Sequence, residues 1–285
     1  MPASNDAQYG HVDHSNLPLV AERDSVLYVG QHSMQKPTSG GSGFGANQQV
    51  AIPSFSIRLN GNGELEADPL TLHVRFDVCP TWIQIAKRHL DAALVARTER
   101  QLAWAGSDES AKSRTLEVEF EASMQAIMAA AIAWDAVYAV LRQHVDIPTL
   151  LAEKWRNGRT SRYTQVAEVV RRAFGLKPQG ATTLRTNLKE LYRFRDLAVH
   201  PSGKIEAALL HPELDVGVEW RFVYFRAINA ELAVRGAVAM LWDLAHNGKS
   251  KNPQIADYQN NLSDRLQEIF PDGAPAVRTP EAQQS

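Results

Sequence analysis

Between residues 191 and 203 the chain reads Leu191-Tyr192-Arg193-Phe194-Arg195-Asp196-Leu197-Ala198-Val199-His200-Pro201-Ser202-Gly203. An arginine is followed directly by a carboxylate and, four residues later, by a histidine. These residue types suit cleavage of RNA without a metal. An imidazole, with an unperturbed pKa of about 6.5, can take a proton from a ribose 2′-hydroxyl or return one to a leaving 5′-oxygen near neutral pH. A guanidinium stays charged and forks onto phosphate oxygens, where it stabilises the extra negative charge of a five-coordinate phosphorus. Asp196, four residues before His200, is spaced to meet the ring on a helix and fix its tautomer.

A helix must position them. Leu184, Leu188, Leu191, Phe194 and Ala198 recur at helical spacing, and Thr182 or Thr183 can cap the start with a hydroxyl. The pattern predicts a helix over residues 183–199, stopped by Pro201 and Ser202-Gly203. His200 then stands at the helix end and Arg195 about a turn and a half upstream. The same residues also suit a plain helix terminus, because cations interact favourably with the last carbonyls.

The run from Arg195 to Pro201 resembles the signature of the HEPN superfamily, helical bundles whose nuclease members carry Arg, a polar residue, and His after four to six intervening positions. The resemblance implies a ribonuclease site of Arg195, Asp196 and His200. It also implies a homodimer, which would bring two motifs, and so two imidazoles, to one cleft. A toxin or defence role with a neutralising protein partner follows from family analogy alone. The motif variant with Tyr two positions after His is absent, since Ser202 stands there.

The whole chain carries a formal net charge of −2. Its basic residues are nonetheless concentrated: from Lys154 to Lys204 there are twelve Lys or Arg against three Asp or Glu, a net of +9. Arg171, Arg172, Arg185, Lys189, Arg193 and Lys204 are the expected RNA-binding residues, with Trp155 and Tyr163 placed to stack on bases. The alternative is a solvated helical surface whose charge is balanced by acidic residues elsewhere.

Elsewhere the pattern predicts a mainly α fold, a helical bundle with one or two small β-hairpins. Residues 1–50 read as a flexible polar arm, with a glycine-rich stretch that no Gly-Lys-Ser/Thr follows. Residues 51–80 hold two strands, 54–59 and 70–78, joined through Asn60-Gly61-Asn62-Gly63 and Asp68-Pro69 as a half-buried hairpin or small sheet. A helical domain spans 81–250. Its helices are expected from Pro80 to about Gly106, over 115–145, around Leu150 to Trp155, over about twelve residues that carry Val166, Val169, Val170 and Phe174 and end at Gly175, over 183–199 and over 222–245. Short strands at 205–210 and 216–220 form a second hairpin, with His211 between them as a minor candidate for a second imidazole. Residues 251–285 supply a helix over 255–270 and a disordered tail.

Other chemistries find little here. No Cys or His cluster has zinc spacing, His11 and His14 being an isolated pair, so neither a metal nor a cofactor is expected. His89 reads as a core or rim histidine. No Gly-x-Ser-x-Gly elbow occurs. Cys79 is the lone cysteine, the amino terminus lacks an apolar signal core, and the most apolar run, 126–141, contains Asp135. The expectation is a soluble, cytoplasmic protein without a membrane segment. The reading is a metal-independent endoribonuclease; a non-catalytic helical module for protein or RNA, or a nucleotide-sensing domain, are its alternatives.

Overall fold

A computed structural model describes residues 26–29, 48–51, 56–60, 62–67, 69, 73–158, 160–200 and 203–276. The chain divides into two compact units, Met1–Phe76 and Asp77–Ser285.

The first unit is a β-structure of five strands among the described residues: β1 (Val26–Val29), β2 (Gln48–Ala51), β3 (Ser56–Leu59), β4 (Leu65–Ala67) and β5 (His73–Phe76). β3 is the middle strand of an antiparallel β1-β3-β4 sheet, and β2 pairs with β5. The two strands expected to form one hairpin or small sheet therefore belong to different sheets. The segment expected to be an arm contributes β1 and β2, and Val-Leu-Tyr-Val in β1 is rich in strand-forming residues. The turn at Asn60 closes β3 onto β4. Asn60 Oδ1 accepts the backbone N–H groups of Asn62 and Glu64, each at 3.0 Å, and Gly63 takes a left-handed φ of 79°.

The second unit is a helical bundle of eight helices among the described residues: α1 (Cys79–Trp104), α2 (Glu109–Leu141), α3 (Thr149–Arg156), α4 (Arg162–Phe174), α5 (Pro178–Val199), α6 (Trp220–Tyr224), α7 (Ala227–Asn247) and α8 (Pro253–Ile269). With the small sheets, this is the mainly α architecture expected. The central element is α2, which packs against α1, α4, α5 and α7. Its buried surface includes Ala122, Ala126, Ala129, Ala130, Ala131 and Ala133, small side chains that let neighbouring helices come close on several sides. Trp134 is wholly buried among them. By length and composition α2 is also apolar enough to cross a membrane, but most of its apolar window is covered by the bundle.

Helices α2 and α5 start well before the residues at which their patterns begin. Asp108 caps α2 by accepting the N–H groups of Ser110 and Ala111 at 2.9 and 3.1 Å. α5 begins at Pro178, whose missing N–H costs nothing in a first turn; Thr182 does not cap but donates to the Pro178 carbonyl at 2.9 Å. The helix expected over 222–245 is broken into α6 and α7 at Phe225 and Arg226. α8 is part of the bundle, with Ile255, Tyr258, Leu262 and Leu266 in the core, not a separate appendage. A short hairpin, β6 (Leu209–Leu210) with β7 (Gly217–Val218), bridges α5 and α6 in sequence.

Candidate functional site

The leucines of α5 fix which way its charged residues face. Leu184, Leu188 and Leu191 are buried, with Tyr192 beside them, so Arg195 leaves the helix at the edge of the packed face. There its guanidinium meets two carboxylates. Nη1 donates to Asp135 Oδ2 at 3.1 Å, across to α2, while Nε and Nη2 donate to Asp196 Oδ1 at 3.1 and 2.8 Å. The Tyr192 ring lies beneath the cation at 4.6 Å.

Asp135 is the hub of this arrangement. Besides Arg195 it accepts from Arg162 Nε at 2.7 Å and from the Tyr192 hydroxyl at 2.8 Å, joining α2, α4 and α5. Arg162 in turn lies 3.8 Å over the Tyr138 ring. Burial works against the Arg162 charge, but the bond to Asp135 outweighs it and holds the guanidinium more firmly protonated than usual. Burial and the Asp135 charge together push the Tyr192 phenol well up, so it stays a neutral donor.

His200 is the C-cap of α5, exposed, with φ −119° and ψ 74°. Its backbone N–H donates to the Asp196 carbonyl at 3.0 Å, while the Asp196 side chain is engaged by Arg195. A helix places residues 195 and 200 about 140° apart around its axis but residues 196 and 200 only about 40° apart. Asp196, which the guanidinium bonds, therefore stands between residues 195 and 200 around the axis. The Arg195 side chain keeps 23 % of its surface exposed, and Asp196 keeps 53 %. A guanidinium has five N–H donors, and three are used, which leaves two for a further anion.

The expected RNA-binding residues separate into two kinds. Arg171 and Arg172 are both committed to Glu168, at 2.8 and 2.6 Å, and Arg193 lies 3.5 Å from Glu190 with Phe194 and Tyr224 beneath it. Arg185 and Lys189 are exposed and form no ion pair with any described residue. Lys204 is exposed. Glu168, Glu190 and Asp196 are already counted in the net of +9, and Asp135, outside the stretch, adds one further negative charge against Arg162 and Arg195. Of the stacking candidates, Trp155 and Tyr163 both pack partly against the core, and Arg142 lies 6.0 Å over Trp155.

His211 does not join His200. It is 1 % exposed, and its Nδ1 accepts the Glu213 N–H at 3.1 Å, which makes Nε2 the protonated nitrogen. Burial, with the nearby Arg100 and Arg226 charges, lowers its pKa to about 4. It belongs instead to a buried ionic cluster. Arg100, fully buried on α1, donates to Glu119 of α2 and to Glu213 at 2.8 Å; Arg97 and Arg226 also reach Glu213, at 3.1 and 3.4 Å. Glu119 accepts the Ala227 N–H at 2.9 Å, closing the start of α7. His89 sits half-buried on α1, as expected of a rim histidine. His11 and His14 lie outside the described residues, and among the described residues no three His, Cys, Asp or Glu are grouped to hold a metal.

Neither the Asp135 hub nor the Arg100–Glu119 pair was anticipated from sequence. A signal for the second existed: the buried faces of α1 and α2 run through Ile83, Ala86, Leu90, Ala93, Ala96 and through Ser123, Ala126, Ala130, Ala133, and the same steps of three and four arrive at Arg100 and Glu119. Compared with known proteins, this chain matches no family model, and no curated protein or solved structure is significantly similar to it.

Proposed function

We propose that this chain is a metal-independent endoribonuclease of the HEPN type, in which Arg195 holds the scissile phosphate and His200 is a general base or acid. The observation that carries the reading is a part-exposed Arg195 and an exposed His200 at one end of α5, with Asp196, which Arg195 bonds, standing between them around the helix axis and two guanidinium donors unused. His200 takes the ribose 2′-hydroxyl proton as the 2′-oxygen attacks phosphorus, and the bond to the 5′-oxygen breaks. That oxygen receives a proton from a second imidazole. Burial of His211 leaves a second copy of His200, supplied by a homodimer, as the source that best fits this chemistry. Asp135 serves as a positioning residue. An activity of this kind would suit a toxin or defence protein held in check by a neutralising protein partner.

The test is incubation of the purified chain with RNA in EDTA. Fragments ending in 2′,3′-cyclic phosphate and 5′-hydroxyl are the expected product, and intact RNA contradicts the proposal. A second reading, a non-catalytic module that binds RNA or protein, is favoured by one observation: two carboxylates already neutralise Arg195. RNA retained but not cut would select it.

A further inference from the structure

Between α4 and α5 lies an open groove of about 170 Å³, lined by Thr164, Glu168 and Arg171 on one side and Ala181, Thr182 and Arg185 on the other. Its single carboxylate is already covered, since Glu168 accepts from both Arg171 and Arg172. Those bonds and their charges outweigh partial burial and hold the Glu168 carboxyl below the usual range, so it stays ionised and paired near neutral pH. The charges left over belong to Arg185 and, one turn further along α5, Lys189. The Thr164 and Thr182 hydroxyls are engaged by Ser161 and by the Pro178 carbonyl, so the positive surplus of the groove rests on its cations.

A stripe of α5 leads from the groove toward the helix end. Arg185, Lys189, Arg193 and His200 are all exposed, and their spacing on a helix keeps them within an arc of about 80° over about 22 Å of its length. A chain of phosphates lying along this stripe would pass from the groove to His200. A compact ligand such as a mononucleotide would fill only one end of it.

We infer that the α4–α5 groove is a binding subsite for the phosphate backbone of single-stranded RNA, gripped by Arg185 and Lys189, and that it receives the strand at a distance from the cleaved bond. The inference rests on the RNA reading of the site, but it concerns binding and not turnover. A positively charged track that follows the backbone, without base-specific contacts, is a sequence-tolerant way to hold a single strand.

The experiment measures binding of a fluorescein-labelled 12-nucleotide single-stranded RNA to the full chain carrying His200→Ala, in EDTA, across a salt series. The variant Arg185→Gln/Lys189→Gln is compared with Arg88→Gln/Arg114→Gln, which removes the same charge from exposed positions on α1 and α2. Helical circular dichroism accompanies each variant. Loss of two phosphate contacts should flatten the salt slope by about 1.4 and weaken binding about tenfold or more near physiological salt, with the control pair unchanged. Arg185→Lys should restore most of the affinity. Equal losses in both pairs, no loss in the groove variant, or no RNA binding by the parent chain would overturn the assignment. So would adenosine monophosphate competing as strongly, mole for mole, as unlabelled 12-mer, which would make the groove a mononucleotide pocket. Groove-dependent binding by a chain whose native form cuts no RNA leaves this inference standing while the nuclease reading fails.

Discussion

Asp135 on α2 and Arg195 on α5, 60 positions apart in the chain, meet at 3.1 Å, and the same carboxylate also accepts from Arg162 and Tyr192. The residue expected to touch phosphate is thereby fixed to the central helix of the bundle. A guanidinium held on a rigid element loses less freedom when it binds, and it offers its remaining donors in a set direction.

Asp135→Ala should be felt in both stability and activity. Two cations and one hydroxyl lose their shared acceptor at the edge of the core, which should cost about 1–3 kcal/mol by denaturant unfolding. RNA cleavage should fall further than the loss of folded protein explains. Cleavage per folded molecule equal to that of the parent would remove Asp135 from any positioning role.

Asp196→Asn should act in the opposite direction on binding. Its carboxylate competes with phosphate for Arg195 Nε and Nη2, and its exposure allows it to swing away. Removing the charge while keeping an oxygen acceptor should tighten RNA binding several-fold, measured with His200→Ala present to prevent cleavage. Weaker binding would mean that the Asp196 charge is needed to hold the guanidinium in place.

The buried cluster around Arg100 should govern stability rather than chemistry. Glu119→Ala leaves the fully buried Arg100 with Glu213 as its remaining carboxylate and strips the Ala227 N–H of its acceptor, which should cost about 3 kcal/mol. Urea unfolding midpoints of the two proteins measure it. A cost below about 1 kcal/mol would show that water reaches Arg100 when its partner is lost.

His211 should give stability a pH dependence. Its folded pKa of about 4 lies below the ordinary 6.5, so the unfolded chain binds a proton that the folded chain does not between those values. Stability is therefore fully present above about pH 6.5 and declines as pH falls toward 4, by about 3 kcal/mol from this group. Glu213, also held below its ordinary pKa, continues the decline at lower pH. His211→Asn, which keeps an acceptor for the Glu213 N–H, should flatten unfolding free energy between pH 6.5 and 4.5. A slope equal to that of the parent would place the titration elsewhere.

How legible all this was in the sequence depended on distance along the chain. Leu184, Leu188 and Leu191 announce their helix through local periodicity, and Gly175, with φ 59°, ends α4 where a glycine after an apolar stripe predicts. Strand pairing was not local: β3 joins β1 across the stretch between Val29 and Ser56, and nothing in either strand names the other. Charge balance failed for the same reason. Arg162 and Arg195 count as two cations in a basic window, yet the carboxylate that pairs with both lies outside it, at Asp135, on a helix whose sequence is dominated by an apolar seam. Arg195 and His200 were visible because one helix carries both.

The most direct test compares RNA cleavage by the native chain, His200→Ala and Arg195→Ala in EDTA, each with its helical circular dichroism confirmed. Loss of a general acid or base and of a phosphate-stabilising cation should each lower the rate by a factor of about 10² or more while RNA binding by His200→Ala persists. Cleavage by both variants at the native rate, or no cleavage by the native chain at any protein concentration that permits dimerisation, would contradict the assignment.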